Sequence, residues 1–319
     1  MTLTERHMGG QFVFQAFLKN SHDRKFVGEI AKCGLEEVSR IEALLTDFKD
    51  SPFNEINYFA GKRPVRVCDE IFELIKYSKV ISDKTEGAFD LSFASVGHYW
   101  RECQKKNKAP DEKKIKELAT YINYKNIELN ENDKTVFLPH FKMRIGTGGI
   151  GKGYAVDRAF LEMKEKGLEN FSFNGSGDIR VHSSEHAPRP WKIGIRNPFA
   201  NDSTQSCGML QVANGAVATS GVYNNFIKKL GKENHHILNP KNGRANVGVV
   251  SASVLADSSI EGDISATVVM IKGLKEGMKY LNSQNLYALI IDMHGQVHLS
   301  EKAFLSMDKT HRVQGQRHA

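Results

Sequence analysis

The amino-acid sequence predicts an α+β fold, with mixed or antiparallel sheets and packed helices. Helical patterns come first and strand patterns dominate later, so helices and strands do not alternate as a doubly wound α/β chain requires. No Pro/Ser/Gly-rich linker divides the 319 residues, which predicts one domain over residues 1–306, built of one unit or two intimate ones, with a polar tail at 307–319. No internal repeat of fixed period appears. The composition, 40% hydrophobic and 25% charged, is that of a globular chain with ample core.

Residues 11–18 are rich in phenylalanine and partly alternating, which suits an opening strand. Residues 27–48 carry helical spacing at Ile30, Leu35, Val38, Ile41, Leu44 and Leu45, and Asp50-Ser51-Pro52 breaks that helix ahead of a loop at 54–57. A second amphipathic helix spans 69–82, with Asp69 as cap and Ile71, Phe72, Leu74, Ile75 and Val80 inward. Glu86-Gly87-Ala88-Phe89-Asp90 then turns the chain. Residues 100–109 read as an exposed polar loop, Asp111 begins a charged helix to about Tyr121, and 127–129 with 135–138 form a hairpin.

Four glycines and a lysine in Gly148-Gly149-Ile150-Gly151-Lys152-Gly153 precede the central helix, whose Ala155, Ala159, Phe160 and Met163 share one face. Gly167 stops it. A strand at 170–179 is interrupted at 174–178, and further strands fit 191–195, 207–212, 216–219 and 248–255. A helix runs from near Ser258 to Lys272, another covers 277–284, and a hairpin around His294-Gly295 closes the fold.

A glycine-rich turn feeding a helix aims backbone N–H groups at an anion and admits it closely. Lys152 adds a positive charge suited to a phosphate. The spacing matches neither the Walker loop nor the dinucleotide fingerprint, so a tight turn before a packed helix reads equally well. Asp263 and Thr267 stand one helical turn apart, a carboxylate and a hydroxyl that suit Mg²⁺ or, alternatively, a cap and a threonine bonded back to its own helix. His235-His236 precede a Pro/Gly turn, where one histidine could serve as general base. Asp178 either ligates a metal or bonds its turn. Phe48 and Phe89 are core residues by default, or partners for a planar ring.

The net charge of +7 is spread among interleaved acids, which favours small anions over nucleic acid. Cys33, Cys68, Cys103 and Cys207 are scattered without metal spacing, so buried free thiols are expected rather than zinc or disulfides. Residues 1–7 hold no apolar export segment and no stretch is long enough to span a bilayer. The expectation is a cytoplasmic protein without a membrane span.

Taken together, Arg6-His7-Met8-Gly9, Gly87–Asp90, the 148–157 loop and helix start, Gly177-Asp178-Ile179, Ala218-Thr219-Ser220-Gly221, His236-Ile237-Leu238-Asn239-Pro240 and the Asp263/Thr267 pair resemble the FAD:protein FMN transferase (ApbE) family, in the family's order and along nearly the whole chain. The resemblance implies an ApbE-like, T-fold-related architecture. It implies Mg²⁺-dependent transfer of FMN from FAD to a threonine or serine of a partner flavoprotein, with AMP released. The alternatives on the same motifs are hydrolysis of FAD to FMN and AMP, or FAD binding without catalysis.

Carried over by position, Met8, Phe48, Ala88, Phe89, Asp90, Gly148, Lys152 and Ile237 are expected FAD contacts. Asp263 and Thr267, with a main-chain oxygen near Gly149, are the expected Mg²⁺ site, and His236 the group assisting proton transfer. The chain departs from the family pattern at three positions, Gly146, Val222 and Asn239, where the family carries carboxylates.

Overall fold

Phe12 and Phe14 alternate along one strand with the less buried Gln11, Val13 and Gln15 and are themselves fully buried, as a half-buried strand demands. Across the ladder they meet Phe173 and Phe171 at ring-centroid distances of 6.0 and 6.2 Å. These rings floor the core of a computed structural model that describes residues 1–18, 20, 22–200, 202, 205–222, 237–240, 244–246 and 248–304.

The chain runs through β1 (Thr2–His7), β2 (Gly10–Ala16), α1 (Asp23–Leu45), α2 (Pro52–Tyr58), β3 (Val65–Arg66), α3 (Asp69–Lys84), α4 (Ala94–Lys105) and α5 (Glu112–Ala119). Next come β4 (Glu128–Asn130), β5 (Thr135–Phe137), α6 (Gly151–Glu165), β6 (Phe171–Gly175), β7 (Asp178–His182), β8 (Trp191–Arg196), β9 (Ser206–Val212) and β10 (Gly215–Gly221). It ends with β11 (Leu238–Asn239), β12 (Arg244–Ala245), β13 (Val249–Ala256), α7 (Ser259–Ser283), β14 (Tyr287–Asp292) and β15 (Val297–Leu299).

Among the described residues, eight strands form one antiparallel sheet in the order β1-β2-β6-β7-β10-β13-β14-β15. The fold is therefore α+β, as expected from the order of the patterns. Helices α6 and α7 pack against the middle of this sheet, and α1 packs on α6. Smaller pairings, β3-β5-β4, β8-β9 and β11-β12, lie around it.

Several elements differ from the sequence reading, each for a local physical reason. Residues 54–57 are helical: the Ser51 hydroxyl accepts the Asn54 N–H at 2.9 Å, and Pro52 occupies the first turn. Asp50-Ser51-Pro52 is thus a helix start rather than only a stop. Residues 100–105 belong to α4, whose Val96, Trp100 and Cys103 recur at helical spacing and are buried against Ile115 and Leu238. The lysines after Arg101 hide that stripe from a composition reading.

Residues 2–7 form β1, which among the described residues pairs only with β2 at the edge of the sheet. Its exposed polar face gives little apolar signal. The stretch 170–179 is a hairpin, β6 and β7, turning at Ser176 and Gly177. Asp69 opens α3, but the cap position is Cys68, and Val80 is exposed rather than inward. Of the four thiols, which are all free, only Cys103 is buried. Helix α7 breaks at Gly273, where φ is +78°, near the gap expected between two helices. No helix among the described residues is long and apolar enough to cross a membrane.

Candidate functional site

Segments far apart in sequence meet around one cavity of about 220 Å³. The turn after α3 supplies Ala88, Phe89 and Asp90. The glycine loop and first turn of α6 supply Gly148, Gly149 and Lys152, and α7 supplies Asp263 and Thr267; Ile237 lines the cavity as well. Met8 and Phe48 are not among its lining residues. The Met8 Cε lies 3.3 Å from where a Cβ on Gly151 would sit. Phe48 is exposed rather than in the core, and stacks on His98 at 5.3 Å. His236 lies outside the described residues.

The glycines of the loop are there for space. None of Gly146, Gly148, Gly149, Gly151 or Gly153 has a positive φ, so their backbones do not require glycine. Gly153 does require it sterically: a Cβ there would lie 2.7 Å from the Ser259 carbonyl oxygen and 2.8 Å from the Ile260 Cα. That close approach lets the two helices cap each other. Asp157 of α6 accepts the N–H groups of Ser259 and Ile260 at 2.8 and 2.9 Å, and Asp263 of α7 accepts the N–H of Gly153 at 3.3 Å. Each carboxylate complements the positive end of the opposite helix. Asp263 therefore does not cap its own helix; Ser258 does, accepting from Glu261.

Lys152 and Asp263 of the wall form a triad of charges with Asp178. Lys152 Nζ donates to Asp178 Oδ2 at 2.8 Å and stands 3.7 Å from Asp263 Oδ2. Burial alone would lower the Lys152 pKa, but the two carboxylates outweigh it and raise it above its ordinary value. Burial, reinforced by Asp263, pushes the Asp178 carboxyl up to about 7. Lys152 is thus a neutralised cation, and two carboxylates beside it leave the wall ready to accept further positive charge.

Asp90 is committed elsewhere. Its Oδ1 accepts from the Ser92 N–H and hydroxyl at 2.8 and 2.6 Å, and its Oδ2 from the Tyr124 N–H at 3.0 Å. Burial pushes its carboxyl above the ordinary range. It shapes the wall by fixing the turn. Upstream of the loop, Asn57 clasps the Ile145 peptide, donating to its oxygen at 2.9 Å and accepting from its nitrogen at 2.8 Å. Helix α2 thereby holds the glycine loop in register.

Sequence reasoning missed Asp47, His98 and Arg101 and gave Ser220 no role, and all four line the cavity. Ser220 Oγ lies 3.2 Å from Thr267 Oγ1; the sequence placed it in the Ala218-Thr219-Ser220-Gly221 motif without giving it a role. His98 and Arg101 were hidden with α4, although a buried Trp100 between them was a legible signal. One of the three departures has a local structural account. Val222 is buried in the core, where a carboxylate would be stranded, and Asn239 takes the register position opposite Arg244 in β11-β12. No group of three or more His, Cys, Asp or Glu side chains suited to a metal occurs among the described residues.

Known proteins share this architecture and sequence. The fold matches a crystal structure of the ApbE protein of Thermotoga maritima with a TM-score of 0.84 and 26% identity, over 96% of this chain and 98% of that one. A curated FAD:protein FMN transferase of Klebsiella pneumoniae is 29% identical over 283 residues, covering 88% of this chain and 86% of its own length. One from Vibrio cholerae is 26% identical, over 81% and 76% respectively. The ApbE family model matches residues 8–290, a span that takes in every described residue of the cavity wall. The chain is thus a member of the ApbE family, with FAD:protein FMN transferases as its homologues along most of its length.

Proposed function

We propose that the protein transfers FMN from FAD to a threonine or serine hydroxyl of a partner flavoprotein, in a Mg²⁺-dependent reaction that releases AMP. The observation that carries this reading is the Asp263 and Thr267 pair, opening on the same cavity as the glycine loop. Thr267 is not bonded back to its own helix; its hydroxyl meets that of Ser220 instead.

The donor set fits Mg²⁺. A single carboxylate and neighbouring hydroxyls are hard oxygens, too few for an all-protein cage, which suits an ion that keeps waters and takes substrate phosphate. Asp263, the Thr267 hydroxyl and a main-chain oxygen near Gly149 would hold it. When bound, it would neutralise charge on the diphosphate of FAD.

The remaining work belongs to the chain. Gly148 and Gly149 admit the diphosphate close to the backbone. Lys152, clamped by Asp178, keeps Asp263 aimed at the cavity. The acceptor O–H attacks the FMN-side phosphorus, the bond from that phosphorus to the bridging oxygen breaks, and AMP leaves with that oxygen while the hydroxyl proton passes to a base. His236 is our candidate for that proton. Positioning and charge neutralisation supply most of the rate.

Intact-mass measurement of a candidate acceptor, incubated with the protein, FAD and Mg²⁺, tests the reading. The expected result is one added FMN phosphoryl group per acceptor, matched by AMP and abolished by EDTA. AMP formed at a rate indifferent to every acceptor would replace transfer with hydrolysis. Tight FAD binding without AMP would leave only a flavin-binding protein.

A further inference from the structure

We infer that Asp47 reads the N–H edge of one of the two rings of FAD, an assignment that rests on the proposed function. Asp47 follows α1 and is 8% exposed, yet it lines the cavity. Its Oδ2 accepts from His98 Nε2 at 2.8 Å; an ionised carboxylate can only accept, so that nitrogen carries the proton. Its Oδ1 has no hydrogen-bond partner among the described residues. Asp47 lines the cavity, so a ligand N–H held there can reach this unused acceptor, and a charge-assisted hydrogen bond is stronger than a neutral one.

The glycine loop is built to make room for that carboxylate. Gly146 is not in the left-handed region, so its backbone would accept any residue. A Cβ there would collide with Asp47 Oδ2 and lie 2.9 Å from the Ala94 Cβ. Gly146 and the Asp47 carboxylate are therefore mutually dependent: the missing side chain at 146 is the space that Asp47 fills. Gly146 does not leave the pocket short of a carboxylate, because Asp47 delivers one from another element.

Beside it stands a planar platform. His98 stacks on Phe48 with ring planes 28° apart, and the Arg101 guanidinium lies 4.6 Å from the Phe48 ring centre. Flat groups next to a lone acceptor suit a planar heterocycle that presents an N–H. The imide of the flavin and the amine of adenine both qualify.

Equilibrium binding without Mg²⁺ tests the assignment, using FAD, riboflavin and AMP as separate probes. Asp47→Ala should weaken FAD binding about ten- to a hundredfold, the range of one charge-assisted hydrogen bond. The same loss should appear with riboflavin if the flavin imide is read, or with AMP if adenine is. Gly146→Asp should weaken FAD alone, whereas the Asp47→Ala/Gly146→Asp double variant should bind better than either single one, a non-additivity that two independent structural lesions would not give.

Thermal unfolding is followed alongside. Should Asp47→Ala not fold, isosteric Asp47→Asn decides, with a loss of about three- to tenfold because a neutral acceptor is roughly half as strong. Wild-type binding of FAD that the Asp47 variants leave unchanged overturns the inference alone. A wild-type chain that binds no FAD overturns the proposed function and the inference together.

Discussion

Asp263 answers to three groups at once: the Gly153 N–H at 3.3 Å, Lys152 Nζ at 3.7 Å, and the cavity it lines. Asparagine can still accept the Gly153 N–H, so Asp263→Asn keeps the cap on α6 and should cost about 1 kcal/mol of stability. It removes the hard anionic ligand proposed for Mg²⁺, which should cost several kcal/mol of transition-state stabilisation. The expected outcome is AMP release reduced at least a hundredfold and no longer responsive to Mg²⁺, with FAD binding far less affected. An unchanged Mg²⁺ dependence would remove Asp263 from the metal site. Asp178 makes a second prediction, about pH. Its folded pKa stands at about 7, against an ordinary 3.8. Between those values the folded chain holds a proton that the unfolded chain has released, so this group's contribution to stability falls as pH rises through that window. Asp178→Asn has no proton to lose there, while Lys152 stays charged throughout. The wild type should therefore lose melting temperature relative to Asp178→Asn between about pH 5 and about pH 8, and a constant difference would contradict the raised value.

At the scale of elements, the site depends on how closely α6 and α7 approach. Alanine favours a helix over glycine by about 1 kcal/mol, so Gly153→Ala would stabilise α6 if the position were open. The methyl instead meets the backbone of Ser259 and Ile260 at 2.7 and 2.8 Å, and backbone cannot swing aside. We expect a net loss of roughly 1–3 kcal/mol together with a fall in activity, because Asp263 and Thr267 ride on the helix that must move. Gly148→Ala is the contrast: its nearest neighbour is the mobile end of Arg101, 3.1 Å away, and its stability should change little. Denaturant unfolding of the two variants distinguishes these outcomes. The same pair shows what was legible in sequence. That the glycines mattered could be read from their density; that Gly153 serves a helix contact and Gly146 a carboxylate could not, because both partners are remote in sequence. α1, α3 and α6 were legible because each has a long apolar stripe on a polar background. α2 and α4 were not, the first because its cap doubled as the end of α1, the second because its buried stripe is only Val96, Trp100 and Cys103.

At the scale of the whole molecule, the cavity wall draws on residue 47, on 88–101, on the loop at 146–152, on β10 and on α7. Helix α6 packs on α1, α7 packs on the sheet, and Asn57 ties α2 to the loop. We expect the segments of the wall to fold together, so that ligand binding and global stability are one equilibrium. The apolar residues behind the wall, from Phe12 in β2 to Ile290 in β14, form one continuous buried cluster, which is what a single cooperative unit requires. FAD bound at about a hundred times its dissociation constant should stabilise the folded chain by about 2.7 kcal/mol. For a chain of this size that is an upward shift of several degrees in melting temperature, with the whole transition moving together. Calorimetry with and without FAD checks it. Two transitions, of which FAD moves only one, would show that the segments around the cavity belong to separately folding units, and the reading of residues 1–306 as one domain would fall with that result.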